Sequence, residues 1–131
     1  MIFQRKIYPK LLDHSQSPLV TVLTGMRRTG KTTLVKKLLS DIQNKNSLYL
    51  DLQRPDNREL FQQKNYEVIY EAFIARGLSP DQPIVVALDE IQLAPDSPSA
   101  IKYLADHHGI KFIVTGSSSY YLKNLFSESL S

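Results

Sequence analysis

The chain has no cysteine among its 131 residues, which excludes disulfide bonds and thiolate metal sites. It also has no run of eighteen apolar residues, the length that a membrane-spanning helix needs. Residues 1–6 lack the apolar core of a secretory signal peptide. These absences predict a cytoplasmic protein without a membrane partner.

No strong excess of one charge is present either. Sixteen Lys and Arg residues stand against thirteen Asp and Glu residues, and the basic residues form no block. This mild excess leaves nucleic-acid binding open without arguing for it. The hydrophobic content of 42% and charged content of 22% are those of an ordinary globular domain with a core of its own.

A phosphate-binding motif occupies residues 25–32, which read Gly-Met-Arg-Arg-Thr-Gly-Lys-Thr. The stretch fits the pattern G-x-x-x-x-G-K-[ST] at every fixed position. Glycine lets the backbone fold closely round a phosphate, and the loop N–H groups and the following helix point at the anion. Lys31 is expected to reach the β- and γ-phosphates, and the Thr32 hydroxyl to ligate Mg²⁺. The predicted nucleotide-binding residues are Gly25, Met26, Arg27, Arg28, Thr29, Gly30, Lys31, Thr32 and Thr33.

The segments on either side of the motif have the required periodicity. Residues 19–24 are almost wholly apolar and rich in β-branched side chains, as in a strand buried on both faces. After the motif, apolar residues recur at helical spacing and predict a helix from Lys31 to about Gln43. The order strand, glycine loop and helix is the one that a phosphate-binding loop demands.

A second apolar strand, predicted over residues 84–88, ends in the adjacent carboxylates Asp89 and Glu90. This is the Walker B arrangement, in which the aspartate holds the metal and the following acid polarises the attacking water. A nucleoside kinase or a GTPase does not usually place a glutamate there. The pair therefore favours ATP hydrolysis, with Thr32 and Asp89 as the metal residues.

A further strand is predicted over residues 110–115 and is followed by Gly-Ser-Ser-Ser. A polar side chain at this strand end would lie between the two motifs, at the carboxyl edge of a parallel sheet. Ser117 is the first candidate for a contact with the γ-phosphate or the attacking water, and Thr115 is the alternative. Ordinary turn and helix-cap chemistry is the competing interpretation of this stretch.

The rest of the sequence alternates between strands and helices. A strand is predicted at residues 47–51, a capping box at Asp56 and Glu59, and an amphipathic helix that ends near Gly77. Ser97 is the predicted N-cap of another helix, with Pro98 at its first position and Gly109 at its end. His107 and His108 fall in the last turn of that helix, where the dipole favours positive charge.

This alternation predicts a three-layer α/β/α fold with a mainly parallel sheet. Residues 1–18 are expected to be a lead-in segment and residues 19–131 a P-loop ATPase core.

Three stretches together carry a resemblance to a family: the motif at 25–32, Leu-Asp-Glu-Ile-Gln at 88–92 and Thr-Gly-Ser-Ser-Ser at 115–119. In this order they resemble the prokaryotic AAA-superfamily ATPases, in which an uncharacterised C-terminal region follows the ATPase core. The resemblance implies ATP and Mg²⁺ as ligands and a 5-1-4-3-2 strand order. By motif match, Lys31 and Thr32 would hold phosphate and metal, Asp89 and Glu90 would form the Walker B pair, and Ser117 would be the first sensor.

The sequence also departs from this family, because only 16 residues follow Thr115. The last strand, a helical lid and a downstream arginine finger do not fit into them. The sequence therefore predicts an N-terminal fragment of such a protein. Arg27 and Arg28 lie inside the loop and are expected to meet phosphate or solvent rather than to act as that finger.

The function predicted from these residues is Mg²⁺-dependent ATP hydrolysis, with Lys31, Glu90 and Ser117 as the catalytic residues. The activity would be coupled to a C-terminal domain or a protein partner, and an oligomer is left open. The alternatives are a nucleotide-binding switch with little turnover, a P-loop kinase and a DNA-associated motor. A GTPase is less favoured because no Asn-Lys-x-Asp guanine motif occurs.

Overall fold

A computed structural model describes residues 8–24, 28–42 and 46–116, and for Arg28 and Thr29 it describes the backbone alone. Within these ranges the chain alternates between helices and strands. The elements are α1 (Tyr8–His14), β1 (Thr21–Leu23), α2 (Arg28–Asp41), β2 (Ser47–Asp51), α3 (Pro55–Leu60), α4 (Tyr66–Ala75), β3 (Val85–Asp89), a 3₁₀ turn (Ile91–Leu93), α5 (Ser97–His108) and β4 (Lys111–Thr115).

The four described strands form one sheet in the order β1-β4-β3-β2, and all of their pairings are parallel. The predicted parallel α/β architecture is confirmed. The order of the four strands matches the 1-4-3-2 portion of the 5-1-4-3-2 strand order that the family resemblance implies. Parallel neighbours must be joined by crossovers, so the helices come to lie on the two faces of the sheet.

Each face of the sheet has its own apolar core, because successive side chains of a strand point to opposite faces. On one face, Val85, Ala87 and Ile113 pack against buried side chains of α2. On the other face, Val86 and Leu88 pack against a larger cluster that includes buried side chains of α4 and α5. Every residue of β3 and β4 is buried, as expected for inner strands covered on both faces.

Strand and helix bounds differ from the predictions by a few residues. β2 spans the predicted residues 47–51, whereas β1 is shorter than 19–24, because pairing with β4 begins at Thr21 and Leu19 is 57% exposed. β3 and β4 each start one residue later than predicted. α2 begins at Arg28 rather than Lys31, so the helix already includes part of the glycine-lysine motif.

Two predicted helix caps are wrong. α3 begins at Pro55 with Arg54 as its N-cap, because proline has a helical φ and needs no N–H partner in the first turn. Asp56 lies inside that turn and pairs with the Arg54 guanidinium at 3.0 Å. Ser97 is the first residue of α5 rather than its cap, because its N–H already closes a turn onto the Ala94 carbonyl at 3.0 Å.

The predicted ends of α4 and α5 are confirmed. Gly77 follows α4 with a φ of 104°, and Gly109 caps α5 with a φ of 64°. Both values lie in the left-handed region, where glycine carries no Cβ penalty. The histidine at the end of α5 has a further role, since His108 Nε2 lies 2.7 Å from Glu67 Oε2 and joins α5 to α4.

The segment before β1 is attached to the sheet through Lys111. The Lys111 ammonium donates to the Leu19 carbonyl and to the His14 carbonyl, the latter at 3.3 Å. Burial lowers the pKa of Lys111 to about 8. The C-terminal end of α1 is thereby held beside the first residue of β4.

None of the helices in the described ranges is both long and apolar enough to cross a membrane. A cytoplasmic location stays a prediction.

Candidate functional site

Three neighbouring strands carry polar side chains at or near their carboxyl ends, on the face that α2 covers. Tyr49 on β2 and Asp89 on β3 belong to the alternating positions that include Val85 and Ala87, and Thr115 follows Ile113 on β4 in the same way. Carboxyl ends of parallel strands meet at one edge of a sheet. The fold therefore gathers these side chains next to the start of α2.

Asp89 is the centre of this group and accepts hydrogen bonds from three hydroxyls. Its Oδ2 accepts from Thr32 Oγ1 and from Tyr49 Oη, each at 2.5 Å. Its Oδ1 accepts from Thr115 Oγ1. Asp89 is only 2% exposed, so these donors replace the water that the carboxylate would otherwise bind.

Tyr49 is held in its protonated form by this position. Burial raises the pKa of the Tyr49 hydroxyl, and the hydrogen bond to Asp89 and its negative charge raise it further. The phenol therefore keeps the proton that it donates to Asp89 throughout the physiological pH range.

Lys31 is buried beside the same strand ends, with 1% of its surface exposed. Its Nζ donates to the Gly116 carbonyl at 2.5 Å, directly after β4. Within the described ranges the Lys31 ammonium makes no salt bridge, although it carries three N–H donors. A buried cation is costly unless an anion neutralises its charge, and none of the described carboxylates does so.

Glu90 has an unusual backbone, with φ 62° and ψ 52° in the left-handed region. Its N–H donates to Thr115 Oγ1 at 3.1 Å, and its Oε1 accepts from Gln92 Nε2 at 2.7 Å. Glu90 Oε2 and Gln92 Oε1 are buried and have no hydrogen-bond partner among the described residues. The backbone turn thus places a buried carboxylate with one unused acceptor oxygen next to Asp89.

The side chains at this edge fit a magnesium ion that arrives with a phosphate ligand. Thr32 and Asp89 supply hard oxygen atoms, and a hydroxyl can donate its proton to Asp89 while a lone pair ligates a cation. In the part of the chain that the structure describes, no group of three or more His, Cys, Asp or Glu residues forms a metal cage. Mg²⁺ commonly binds through one or two carboxylates together with substrate phosphates and water, and Thr32 and Asp89 are donors of the kind that such an ion would use.

A family model described as an AAA domain matches residues 17–131. The chain belongs to the AAA domain family. No curated protein matches the sequence.

Two solved structures illustrate the similarity of the fold to larger proteins. C. elegans PCH-2 is 14% identical, with a TM-score of 0.66 over 98% of this chain and 41% of that chain. A chain in the structure of Drosophila ORC bound to AT-rich DNA and Cdc6 is 13% identical, with a TM-score of 0.59 over 88% of this chain and 46% of that chain. At these identities the likeness concerns the fold, and this AAA domain spans less than half the length of either chain.

The predicted site residues fall into three groups. Lys31, Thr32, Asp89 and Glu90 are brought together at the strand ends. Gly30 is buried in the first turn of α2, and Thr33 is exposed on that helix. Gly25, Met26, Arg27 and Ser117 lie outside the described residues, as do the side chains of Arg28 and Thr29.

Thr115, the alternative to Ser117, has a different use in this AAA domain. Its hydroxyl donates to Asp89 and accepts from the Glu90 N–H. Both bonds serve the two predicted Walker B carboxylates, which argues against a direct phosphate contact for Thr115.

Sequence analysis missed Tyr49 and Gln92. Tyr49 could have been found, because strand alternation puts it on the α2 face near the end of a strand parallel to β3. Gln92 belongs to the Leu-Asp-Glu-Ile-Gln stretch that carries the family resemblance. Its role could not be predicted, since its contact with Glu90 depends on the left-handed turn at Glu90.

Proposed function

We propose that this AAA domain binds ATP together with Mg²⁺ and hydrolyses it. The observation that carries the proposal is the buried Lys31 ammonium, which has no counter-ion among the described residues and lies at the same sheet edge as the Thr32–Asp89 pair. A triphosphate would supply the missing negative charge. The glycine-lysine motif at residues 25–32 supports the same ligand.

The residues divide the work by their chemistry. Lys31 would bind the β- and γ-phosphates, and Thr32 and Asp89 would hold the metal ion. Bound Mg²⁺ would neutralise charge on the phosphate oxygens. Glu90 would accept a hydrogen bond, and then the proton, from the water that attacks the γ-phosphorus. The bond to the β–γ bridging oxygen breaks, and ADP and phosphate leave.

Glu90 is suited to this task by the way it is held. Gln92 occupies Oε1, so the buried Oε2 is the carboxylate oxygen left to accept from water. Thr115 fixes the Glu90 backbone through its N–H. A base whose position is fixed by its neighbours loses less entropy when it orients the attacking water.

We also propose that the nucleotide cycle acts on a C-terminal domain or a protein partner. The support is that the chain spans 41% and 46% of its structural neighbours, so each of those chains contains further protein beyond the part that resembles this chain.

ATP binding is tested with Lys31→Met, which removes the ammonium and keeps the apolar stem. We expect the affinity for ATP in calorimetry to fall at least about 100-fold, because the triphosphate loses a charge-assisted contact. Lys37→Ala, which removes an exposed lysine of the same helix, is the matched control. Equal ATP affinity for Lys31→Met and the parent protein would refute the phosphate assignment.

Turnover is tested with Glu90→Gln, which keeps the size of the side chain and removes its basicity. We expect ATP affinity to stay within about twofold while the single-turnover rate falls about 10²- to 10⁴-fold. Glu71→Gln on α4 is the control for loss of an exposed carboxylate. A Glu90→Gln protein that hydrolyses ATP like its parent would show that Glu90 is not the base. Tight ATP binding by the parent without multiple turnover would favour the nucleotide switch.

A further inference from the structure

We propose that Tyr49 is a positioning residue of the magnesium site, because its hydroxyl holds the Asp89 carboxylate in the orientation that receives the cation. The inference rests on the proposed ATP function and extends it to a residue of the edge strand β2. Tyr49 itself is not proposed to touch the metal or the nucleotide.

The hydrogen bond between Tyr49 and Asp89 is short, and other contacts hold both side chains in place. Tyr49 Oη donates to Asp89 Oδ2 at 2.5 Å, the same oxygen that accepts from Thr32. The tyrosine ring is itself fixed, since Lys36 Nζ lies 5.0 Å from its centroid and the ring packs against the core under α2. The phenol therefore reaches Asp89 from a side chain with little freedom of its own.

A carboxylate needs such donors to keep one orientation. The terminal torsion of an aspartate is broad, so the Asp89 carboxylate has no strong rotational preference of its own. Its two oxygens offer about four lone-pair positions. Hydroxyl donors occupy three, which leaves one direction for the cation or a water bound to it.

The three hydroxyls that donate to Asp89 would have different roles once ATP and metal are bound. Thr32 is expected to ligate the cation, and Thr115 is bonded to Oδ1 and also to the Glu90 N–H. Tyr49 is the one donor to Oδ2 that has no other part in the proposed chemistry. Its removal would let the carboxylate turn without removing any ligand of the nucleotide.

The test measures metal binding separately from nucleotide binding. ATP affinity is measured by calorimetry in EDTA, and Mn²⁺ affinity of the ATP-bound protein by electron paramagnetic resonance of free Mn²⁺. The variants are Tyr49→Phe, which keeps the ring, and Tyr103→Phe. Tyr103 is a matched control because its hydroxyl donates to the Glu67 carboxylate at 2.6 Å, between α4 and α5.

We expect Tyr49→Phe to weaken Mn²⁺ binding about 10- to 100-fold, which is the usual effect of removing a residue that hydrogen-bonds to a metal ligand. ATP affinity in EDTA should stay within about twofold, and Tyr103→Phe should match the parent protein in both measurements. Tyr49→Met, which also lacks the hydroxyl, should reproduce the loss and shows that it does not depend on one substitution.

Several results would overturn the inference. Parent-like Mn²⁺ affinity in Tyr49→Phe would remove the positioning role. An equal loss of metal-free ATP affinity would mean that Tyr49 acts on the structure of the site as a whole. A parent protein that binds ATP in neither condition would instead refute the proposed function, and the inference with it.

Discussion

At the scale of single residues, Glu90 joins an unfavourable backbone conformation to a predicted chemical role. Its φ of 62° is the one positive value among the non-glycine residues that the structure describes. A left-handed conformation costs a residue with a Cβ about 1–2 kcal/mol. Such strain is typical of functional sites, where the surrounding contacts keep the residue in place. Here those contacts are the hydrogen bonds from Gln92 and to Thr115.

Glu90→Gly and Glu90→Ala separate this strain from the loss of the carboxylate. Both variants lack the carboxylate, but only alanine keeps the Cβ that the left-handed region disfavours. We expect Glu90→Gly to exceed Glu90→Ala in free energy of unfolding by about 0.5–1 kcal/mol, after the greater freedom of unfolded glycine is allowed for. Urea denaturation of the two proteins measures this difference. Equal stability, or a more stable alanine variant, would mean that the turn is not strained.

At the scale of the elements, the sequence predicted which helices and strands exist better than it predicted the residues at which they begin and end. β2 and the glycine that ends α5 follow from local patterns, because side-chain alternation and left-handed glycines are local properties. The caps at Asp56 and Ser97 were wrong because proline and a preceding turn decided where each helix starts. The contact between Glu67 and His108 joins residues 41 positions apart, and no local pattern carries that information.

Gly109 gives an element-scale prediction. It ends α5 with φ 64° and ψ 25°, and a Cβ added there would meet nothing within 4 Å. The cost of Gly109→Ala is therefore one of backbone conformation, and we expect a loss of about 1 kcal/mol in the free energy of unfolding. Gly109→Asn should lose less, because asparagine tolerates this region. Thermal denaturation of both variants tests the order, which would be reversed if side-chain contacts decided the outcome.

At the scale of the whole molecule, the parallel sheet followed from the alternation of strands and helices, whereas the strand order came from the family resemblance. Strand order depends on pairings between distant segments, such as Thr21 with Ile113. Likewise, the residues of the candidate site that stand in motifs were predicted, and those that depend on distant contacts were not. Lys31, Thr32, Asp89 and Glu90 stand in motifs, but the hydroxyls around Asp89 depend on how strands and helix come together.

Lys111 makes the stability of the molecule depend on pH. Burial lowers its pKa in the folded state to about 8, below the ordinary value of 10.5. Between these values the unfolded chain binds more protons than the folded one, so stability rises with pH. Above about pH 10 the partly buried tyrosines Tyr8 and Tyr49, whose pKa values are raised, act in the opposite direction.

We therefore expect the melting temperature of the parent protein to rise relative to that of Lys111→Met between pH 8 and pH 10, because the variant lacks the ammonium that titrates there. Differential scanning calorimetry of both proteins across this range measures the contribution as their difference. A constant difference between the two proteins from pH 7 to pH 10 would show that Lys111 has an ordinary pKa in the fold.

The position of Tyr49 has a mechanical consequence. Among the described strands, β2 is hydrogen-bonded on one side only, and its phenol reaches across to the carboxylate of the neighbouring strand. A displacement of β2 relative to β3 would therefore also move or break the hydrogen bond between Tyr49 and Asp89. A contact made on the outer side of β2 would therefore reach the Asp89 carboxylate through the Tyr49 side chain.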